Sequence, residues 1–420
     1  MIALAMHAWQ NSTSKSTVKF KKMNILFLSP RMPLPADTGG KIRTFNILKQ
    51  IAKANHVTLL CFSFEASDQD FIPEFNKLGI QVTLVPIAES SIFQKITGVL
   101  FKPIPFSIGK YHTPLMRRAI AKILKTQKFD AVHVDHLHMA HYTDCFNNIP
   151  CMLDEHNVEY KILERCSKVE AGFIKKMLYQ QQAAKMKAFE SRKIKDFKGV
   201  FACSLDDQKI LKNISSGNTP LHVIANGVDT EYFTSPDLKD AAQDALVFTG
   251  SMDWLPNDDA ITYFCNKILP LIWQKKQGVK FYVVGKNPSK LVKDFSQHDP
   301  RVIVTGRVED VRPYIQRSKI FIVPLRIGGG TRLKILEAMA MGKAVVSTSI
   351  GAEGIECRDG KNILLGDTPE AFAVKVLLLL NDEQKSKDIG QQARQFVCDH
   401  YDWNLIGQKL KSIYEESSHV

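Results

Sequence analysis

Apolar residues in this chain follow two rhythms. Runs of five to seven positions rich in Val, Ile, Leu and Phe alternate with longer stretches whose apolar residues recur every three or four positions. That alternation predicts buried parallel strands separated by covering helices, the α/β pattern. One strand series reads MNILFLS, HVTLLCF, QVTLVPI, DAVHV, PCMLD and GVFACS, and a second reads ALVFTGS, KFYVVG, VIVTG, IFIVPL, AVVST and NILLG. A series that stops and restarts predicts two doubly wound, Rossmann-like domains, residues 23–222 and 223–400, with ligands in the cleft beyond the carboxyl ends of their strands. The break falls in LHVIANGVDTEYF, residues 221–233, ahead of the polar SPDLKDAAQD. In residues 401–420, YDWNLIGQKLKSIYEE reads as an amphipathic helix that packs back toward the first domain. Residues 1–22 join neither series and are expected to form a disordered extension before a fold that starts at Met23.

Composition adds three constraints. No uninterrupted apolar stretch reaches the roughly 18–20 residues of a bilayer span, which predicts a soluble or peripheral protein. The eight cysteines are scattered without a C-x-x-C pair, as expected of reduced thiols in a cytoplasmic protein. Residues 1–225 hold 31 Lys+Arg against 18 Asp+Glu, while residues 226–420 hold 25 of each, so the whole net charge of +13 lies in the first half. Much of it is in KITGVLFKPIPFSIGKYHTPLMRRAIAKILK and in the helical stretch from Lys168 to Lys198. Basic and apolar residues interleaved in this way suit either an anionic membrane surface or solvated amphipathic helices. Nucleic acid is not an expected partner, because no aromatic stacking platform accompanies the charge.

The segment richest in chemistry is IFIVPLRIGGGTRLKILEAMAMGKAVVST. Gly328, Gly329 and Gly330 favour positive φ and close approach to a ligand, and Thr331 is placed to start a helix carrying Arg332, Lys334 and Glu337. The unpaired N–H groups of that helix start, with the two basic side chains, suit a diphosphate. Glu337, about a turn and a half on, suits paired hydroxyls of a sugar or ribose. A second glycine turn, PADTGGKIR, follows the first strand, where Gly39 and Gly40 allow a diphosphate or sugar to approach and Lys41 or Arg43 would add charge. His156, after the strand PCMLD, points toward the cleft, and Asp154, Glu155 and Asn157 around it are candidate acceptor contacts. In HVDHLHMAH the four histidines are expected to scatter between a strand and a loop, with no ligand spacing that completes a metal site.

Taken in order, PADTGGKIRTFNIL, DEHN at 154–157, ANGVDTEYF and the glycine-rich helix ending in LEAMAMGKAVVST resemble the GT-B glycosyltransferases of family four, the retaining class. More narrowly, the chain is similar to bacterial sugar transferases of exopolysaccharide and protein-sorting loci. The resemblance implies a GT-B fold whose first domain holds a glycan or lipid-linked acceptor and whose second holds a nucleoside diphosphate sugar. It implies that Gly250 and Ser251 grip the donor phosphates beside Gly285 and Lys286, that the backbone at Arg307 and Val308 holds the base, and that Glu337 binds the ribose. His156 would lie near the transferred sugar, sharing catalysis with Arg332 and Lys334.

Two departures from the family pattern stand out. The donor loop reads GSMDWLPND, without the usual Arg and Lys, so Arg332 and Lys334 are expected to supply that charge. Gly329 stands eight positions before Glu337, where the family has a first glutamate. The implied retaining route has no obligatory protein nucleophile and needs positioning and leaving-group stabilisation, with no cofactor and no metal. The enzyme is expected at the inner face of the cytoplasmic membrane or free in the cytoplasm. The competing readings are a nucleotide-sugar epimerase, which needs acid and base carboxylates in the cleft, and a non-catalytic protein that keeps the fold.

Overall fold

The computed structural model describes residues 22–87, 104–170, 172–215, 217–234, 243–328 and 330–418. The extension up to residue 21, residues 88–103 of the basic stretch, and Gly329 lie outside them.

Both strand series form wholly parallel sheets. In the first, β1 (Asn24–Ser29), β2 (His56–Ser63), β3 (Ile80–Pro86), β4 (Ala131–Asp135), β5 (Cys151–Glu155), β6 (Gly199–Ala202) and β7 (Leu221–Val223) lie in the order β3-β2-β1-β4-β5-β6-β7. In the second, β8 (Gln243–Thr249), β9 (Lys280–Val284), β10 (Val302–Gly306), β11 (Ser318–Val323), β12 (Ala344–Ser347) and β13 (Leu364–Leu365) lie in the order β10-β9-β8-β11-β12-β13. β7 takes the first three residues of the stretch read as a break. Three residues are too few to show a period, and the open edge of β6 recruits them.

Strands covered on both faces must be apolar on both, and β1 shows how. Ile25 and Phe27 enter one core layer while Leu26 and Leu28 enter the other, the two-residue alternation of a strand. The strand order reverses between β1 and β4 and again between β8 and β11, so the crevices of both sheets open at those pairs. The helices that matter for function are α1 (Gly39–Ala54), α2 (Glu159–Val169), α3 (Phe173–Lys193), α4 (Leu333–Ala340) and α5 (Trp403–Ser418).

α5 packs across the first sheet. Trp403, Ile406, Leu410, Ile413 and Tyr414 share a core layer with Ile25, Phe27 and Ile47, and the Tyr414 hydroxyl meets His133 Nδ1 at 2.6 Å. The chain therefore crosses between domains twice, and the crossings bond to each other. Val228 N–H donates to Tyr401 O at 2.8 Å and Trp403 N–H donates to Val228 O at 3.3 Å. At Gly227 a Cβ would lie 2.7 Å from Trp403 and Ile406 and 2.9 Å from the Tyr401 carbonyl oxygen, so only hydrogen fits. Gly227→Ala should lower the melting temperature, through an overpacking cost of about 1–3 kcal/mol. A melting curve that matches the parent would show that the double crossing yields without cost.

Candidate active site

Between the two reversal points lies a cavity of roughly 690 Å³. The first domain contributes Asp37, Thr38, Gly39, Gly40 and Ile42, and the second contributes the end of β8 with the loop after it, Lys286, and the start of α4. A cavity of similar size, roughly 650 Å³, sits behind the hinge around Ile224, Phe396 and Tyr401. Its charged neighbours Arg358, Lys361 and Lys409 are solvent-exposed, so it lacks the convergent buried polar groups of a reaction site.

Of the candidate residues, Gly39, Gly40, Gly250, Ser251, Lys286, Thr331, Arg332, Lys334 and Glu337 line this interdomain cavity. Lys334 Nζ donates to Asn257 Oδ1 at 2.9 Å and lies 3.9 Å from the centre of the Phe248 ring. Burial, reinforced by Arg332, draws its pKa down to about 7, and burial raises Glu337 to about 7 against the pull of Lys334. Arg332 is brought down to about 10, again mainly by burial. In all three groups burial outweighs the neighbouring opposite charge, a poise that an anionic ligand with hydroxyls would relieve. A Cβ on Gly250 would lie 2.6 Å from Lys334 Nζ, so this glycine keeps the ammonium open to the cavity.

Other expectations need correcting. Thr331 does not cap α4: the helix starts at Leu333 after Arg332, which holds extended backbone, and Thr331 Oγ1 is buried without a hydrogen-bond partner among the described residues. Gly330 has φ 74° but turns toward the first domain, where a Cβ would collide with Asn157 Oδ1. Gly285 does not line the cavity. Its missing side chain admits the Gly250 carbonyl, so it shapes the site at one remove. Arg307 and Val308 are not in the lining either, because they follow β10, the sheet edge, two strands from the reversal point. Arg307 is exposed and Val308 packs on the core, leaving Val311 as the residue from this loop that reaches the cavity. Lys286 lines the cavity but is paired at 2.8 Å with Asp37 of the other domain.

The first-domain wall is built from a buried network. His156 Nε2 donates to Asp135 Oδ1 at 2.8 Å and lies 3.5 Å from Asp154 Oδ2, while Asp135 also accepts from Ser29 and Thr44. Burial alone would lower the His156 pKa, but the charges and hydrogen bonds of Asp135 and Asp154 raise it to about 9. His156 is therefore an imidazolium at neutral pH. Its other ring nitrogen lies 3.7 Å from where a Cβ on Gly40 would stand, so Gly40 leaves that N–H facing the start of α1.

Arg43 is not available to a ligand. It is fully buried, grips Asp154 with Nε at 3.0 Å and Nη2 at 2.5 Å, and donates to Asn226 Oδ1 at 3.0 Å. Asp154 is consumed by the same pair, its pKa held well below the usual carboxylate range: burial works against this, and Arg43 and His156 overcome it. Glu155 is buried on the opposite face of β5 with no hydrogen-bond partner for either oxygen among the described residues, and burial beside Glu190 raises its pKa far above normal. Neither acid lines the cavity. Lys41 faces Asp37 at 3.7 Å.

The histidine run is not scattered as expected. His133 lies under α5, but His136 and His138 bring their Nδ1 atoms to 2.5 Å, with His136 Nε2 3.6 Å from Glu159. His136 adopts φ 75°, which turns its ring back toward His138. Ligand atoms of His136, His138 and Glu159 lie within 4.8 Å of one another, a spacing that could hold a metal ion. Burial and the neighbouring cations, Arg31 and His156 for both rings and Lys110 for His138, push both imidazole pKa values down. The same positive field opposes a metal ion. Asp37, Thr38, Asp253, Trp254 and Asn257 also line the cavity without having been singled out. The one sequence signal for them was the exposed tryptophan of GSMDWLPND, now 53% exposed at the mouth.

Residues 38–232 match the family described as Glycosyltransferase Family 4, and residues 243–382 match Glycosyl transferases group 1. The chain belongs to these glycosyltransferases. The transferase is 27% identical over 180 residues to an uncharacterized 44.6 kDa protein in the cps region of Klebsiella pneumoniae, covering 41% of this chain and 45% of that protein. It is 27% identical over 152 residues to the capsular polysaccharide biosynthesis glycosyltransferase CapM of Staphylococcus aureus, covering 34% of this chain and 40% of CapM. Both matches span less than half of the relative. Among solved structures, sucrose-phosphate synthase from Thermosynechococcus elongatus superposes with TM-score 0.71 at 16% identity, covering 94% of this chain and 99% of that one. Anabaena Alr3699/HepE, solved in complex with UDP and glucose, gives 0.66 at 16% identity, again covering 94% and 99%. The transferase therefore has the GT-B fold.

The His156 charge can be tested directly. In the transferase its imidazole should titrate near pH 9 by NMR, and Asp135→Asn should move the midpoint down toward the ordinary histidine value. Because the folded pKa is the higher one, the stability gained from this pair is complete below about pH 6.5 and lost as pH rises through 9. A midpoint near 6.5 in the parent would refute the assignment.

Proposed function

We propose that the transferase moves a sugar, with retention of anomeric configuration, from a nucleoside diphosphate sugar to a glycan or lipid-linked acceptor in bacterial capsular or exopolysaccharide assembly. The observation that carries this reading is the pairing of two walls across one cavity. One wall is basic, with Lys334, Arg332 and the start of α4, and the other carries the Gly39–Gly40 turn, where a Cβ on Gly40 would stand 3.7 Å from Nδ1 of a charged His156 behind it. The diphosphate of a donor sits against the first and its sugar against the second. The cps-region and CapM relatives, and the UDP and glucose complex of the structural neighbour, support the same substrate class.

The chemistry follows from that placement. The bond between the anomeric carbon and the diphosphate oxygen breaks, and the acceptor hydroxyl bonds to the same face of the sugar. Its proton passes to the departing phosphate oxygen. Lys334 and Arg332 stabilise the charge growing on the leaving group, worth most in a water-poor cavity. Their charge does the work that a divalent ion does elsewhere, so no metal or other cofactor is invoked. His156 donates to a hydroxyl of the transferred sugar, and Glu337 accepts from the ribose. The enzyme works in the cytoplasm, and its basic first domain suits an anionic membrane face where lipid-linked acceptors reside.

Nucleoside diphosphates, presented as a panel of UDP, GDP, ADP and dTDP, should raise the melting temperature for one base family. Lys334→Ala and Arg332→Ala should each weaken that binding by about 1.5–3 kcal/mol, the range for a charged hydrogen-bond partner. Unaltered affinity in both variants would reject the diphosphate placement. Binding should also take up a proton near pH 8, because an anion raises the Lys334 pKa from about 7. Calorimetry in buffers of different ionisation enthalpy reads this uptake, and its absence in Lys334→Ala would locate it.

A further inference from the structure

The helical hairpin formed by α2 and α3 ends in an apolar tip that nothing among the described residues covers. The two helices pack on each other more extensively than any other pair of elements, and α2 has no comparable second neighbour. α3 is 21 residues long, and its buried positions, Ala183, Met186, Phe189 and Glu190, all fall in its second half. Its first nine residues, about 13 Å at the rise of an α-helix, include none that is buried, and among the described residues their main neighbour is α2, while Gln182 just beyond them accepts from the Phe106 N–H at 3.0 Å. At that free end Phe173 and Ile174 are each 74% exposed and Met177 is 54% exposed. Phe173 and Ile174 are the most exposed large apolar side chains among the described residues. Their spacing puts all three on one arc of the helix of about 100°. Lys168, Lys175 and Lys176 surround them, all exposed. The nearby acid, Glu170, is half-buried and accepts the Gly172 N–H at 2.9 Å.

We infer that this tip is a wedge that inserts into the interface of an anionic bilayer, an inference that rests on the membrane placement of the first domain proposed above and names the element that makes the contact. A convex two-helix tip offers a protein partner no groove and far less than the roughly 800 Å² per side that a stable interface needs. A bilayer needs no groove. Three large side chains enter the region below the headgroups to a depth of about 5–10 Å, while lysine stems lie along the apolar surface and their ammonium groups stay at the phosphates. The mix of exposed Phe, Ile and Met with a lysine ring, and with no exposed acid among them, is the composition such an interface selects.

The full-length protein should co-sediment with phosphatidylcholine vesicles that contain phosphatidylglycerol, less with phosphatidylcholine alone, and less as salt rises. Phe173→Ser, Ile174→Ser and Met177→Ser combined should reduce partitioning by roughly tenfold or more. Lys168→Gln, Lys175→Gln and Lys176→Gln combined should remove the dependence on salt and on the anionic lipid. Both variants should keep the parent melting temperature and nucleoside diphosphate response, so a failed membrane result is distinguishable from a failed donor site. Vesicle binding by the serine variant equal to the parent, or no binding by the parent, overturns the inference. So does sedimentation without lipid in which the parent is a dimer and the serine variant a monomer, since the tip would then join two copies of the chain.

Discussion

The structure of the cleft depends on a buried chain of alternating charge running from Arg43 through Asp154 and His156 to Asp135. Each member comes from a different part of the fold: α1, β5, the residue after β5, and β4. Asn226, from the segment that links the domains, closes it by accepting from Arg43. Such a chain is expensive to remove from water, and leaving any one charge without its partner costs about 3–5 kcal/mol, so the four groups stand or fall together. Their charges cancel only if His156 is protonated. The architecture that fixes the hinge thus also fixes the protonation state of the imidazole that lies behind Gly40 at the cavity wall. A histidine in water would be mostly neutral at pH 7.

The second domain is arranged the opposite way. Lys334, Glu337 and Arg332 are drawn toward their neutral forms because burial outweighs the pull of Glu353 on Arg332 and of Lys334 and Glu337 on each other. One wall of the cavity is therefore complete in itself and the other is incomplete until something anionic and hydroxylated arrives. This asymmetry separates two roles that a list of conserved-looking polar residues would merge. Groups compensated inside the protein, such as Arg43 and Asp154, hold geometry. Groups left uncompensated, such as Lys334, are those whose free energy a substrate can change.

That distinction also explains what could be read from the sequence. Every expected strand is present, because burial on both faces demands apolar runs and those are visible without any knowledge of neighbours. β7 escaped for want of length. The glycine turns at Gly39, Gly40 and Gly250 reached the cavity because a strand end at a reversal point leaves a turn few other places to go. Arg43 and Asp154 were misjudged as ligand contacts, since nothing in TGGKIR or DEHN records that the two side chains meet across 111 residues. Arg307 and Val308 stand outside the lining for a different reason: the order of strands along the chain is legible in the sequence, while their distance from the cavity depends on β10 being the sheet edge. Asp37 was missed because its partner, Lys286, belongs to the other domain.

One element links the parts of the molecule that face different surroundings. α2 starts three residues after His156, and its Arg165 donates to the Gly328 carbonyl and to Glu353 Oε1 at 2.5 Å, both in the second domain. The glycine-rich turn ahead of α4 is therefore held from the first domain, and opening the cleft must break that contact. The far end of the same helix carries Lys168, beside the exposed tip of α3. A helix of 11 residues is stiff over its length of about 16 Å, so the tip and the contact with the turn ahead of α4 keep a fixed separation. Through α2, the segment that follows His156 and the turn that precedes α4 are therefore fastened to one short rod.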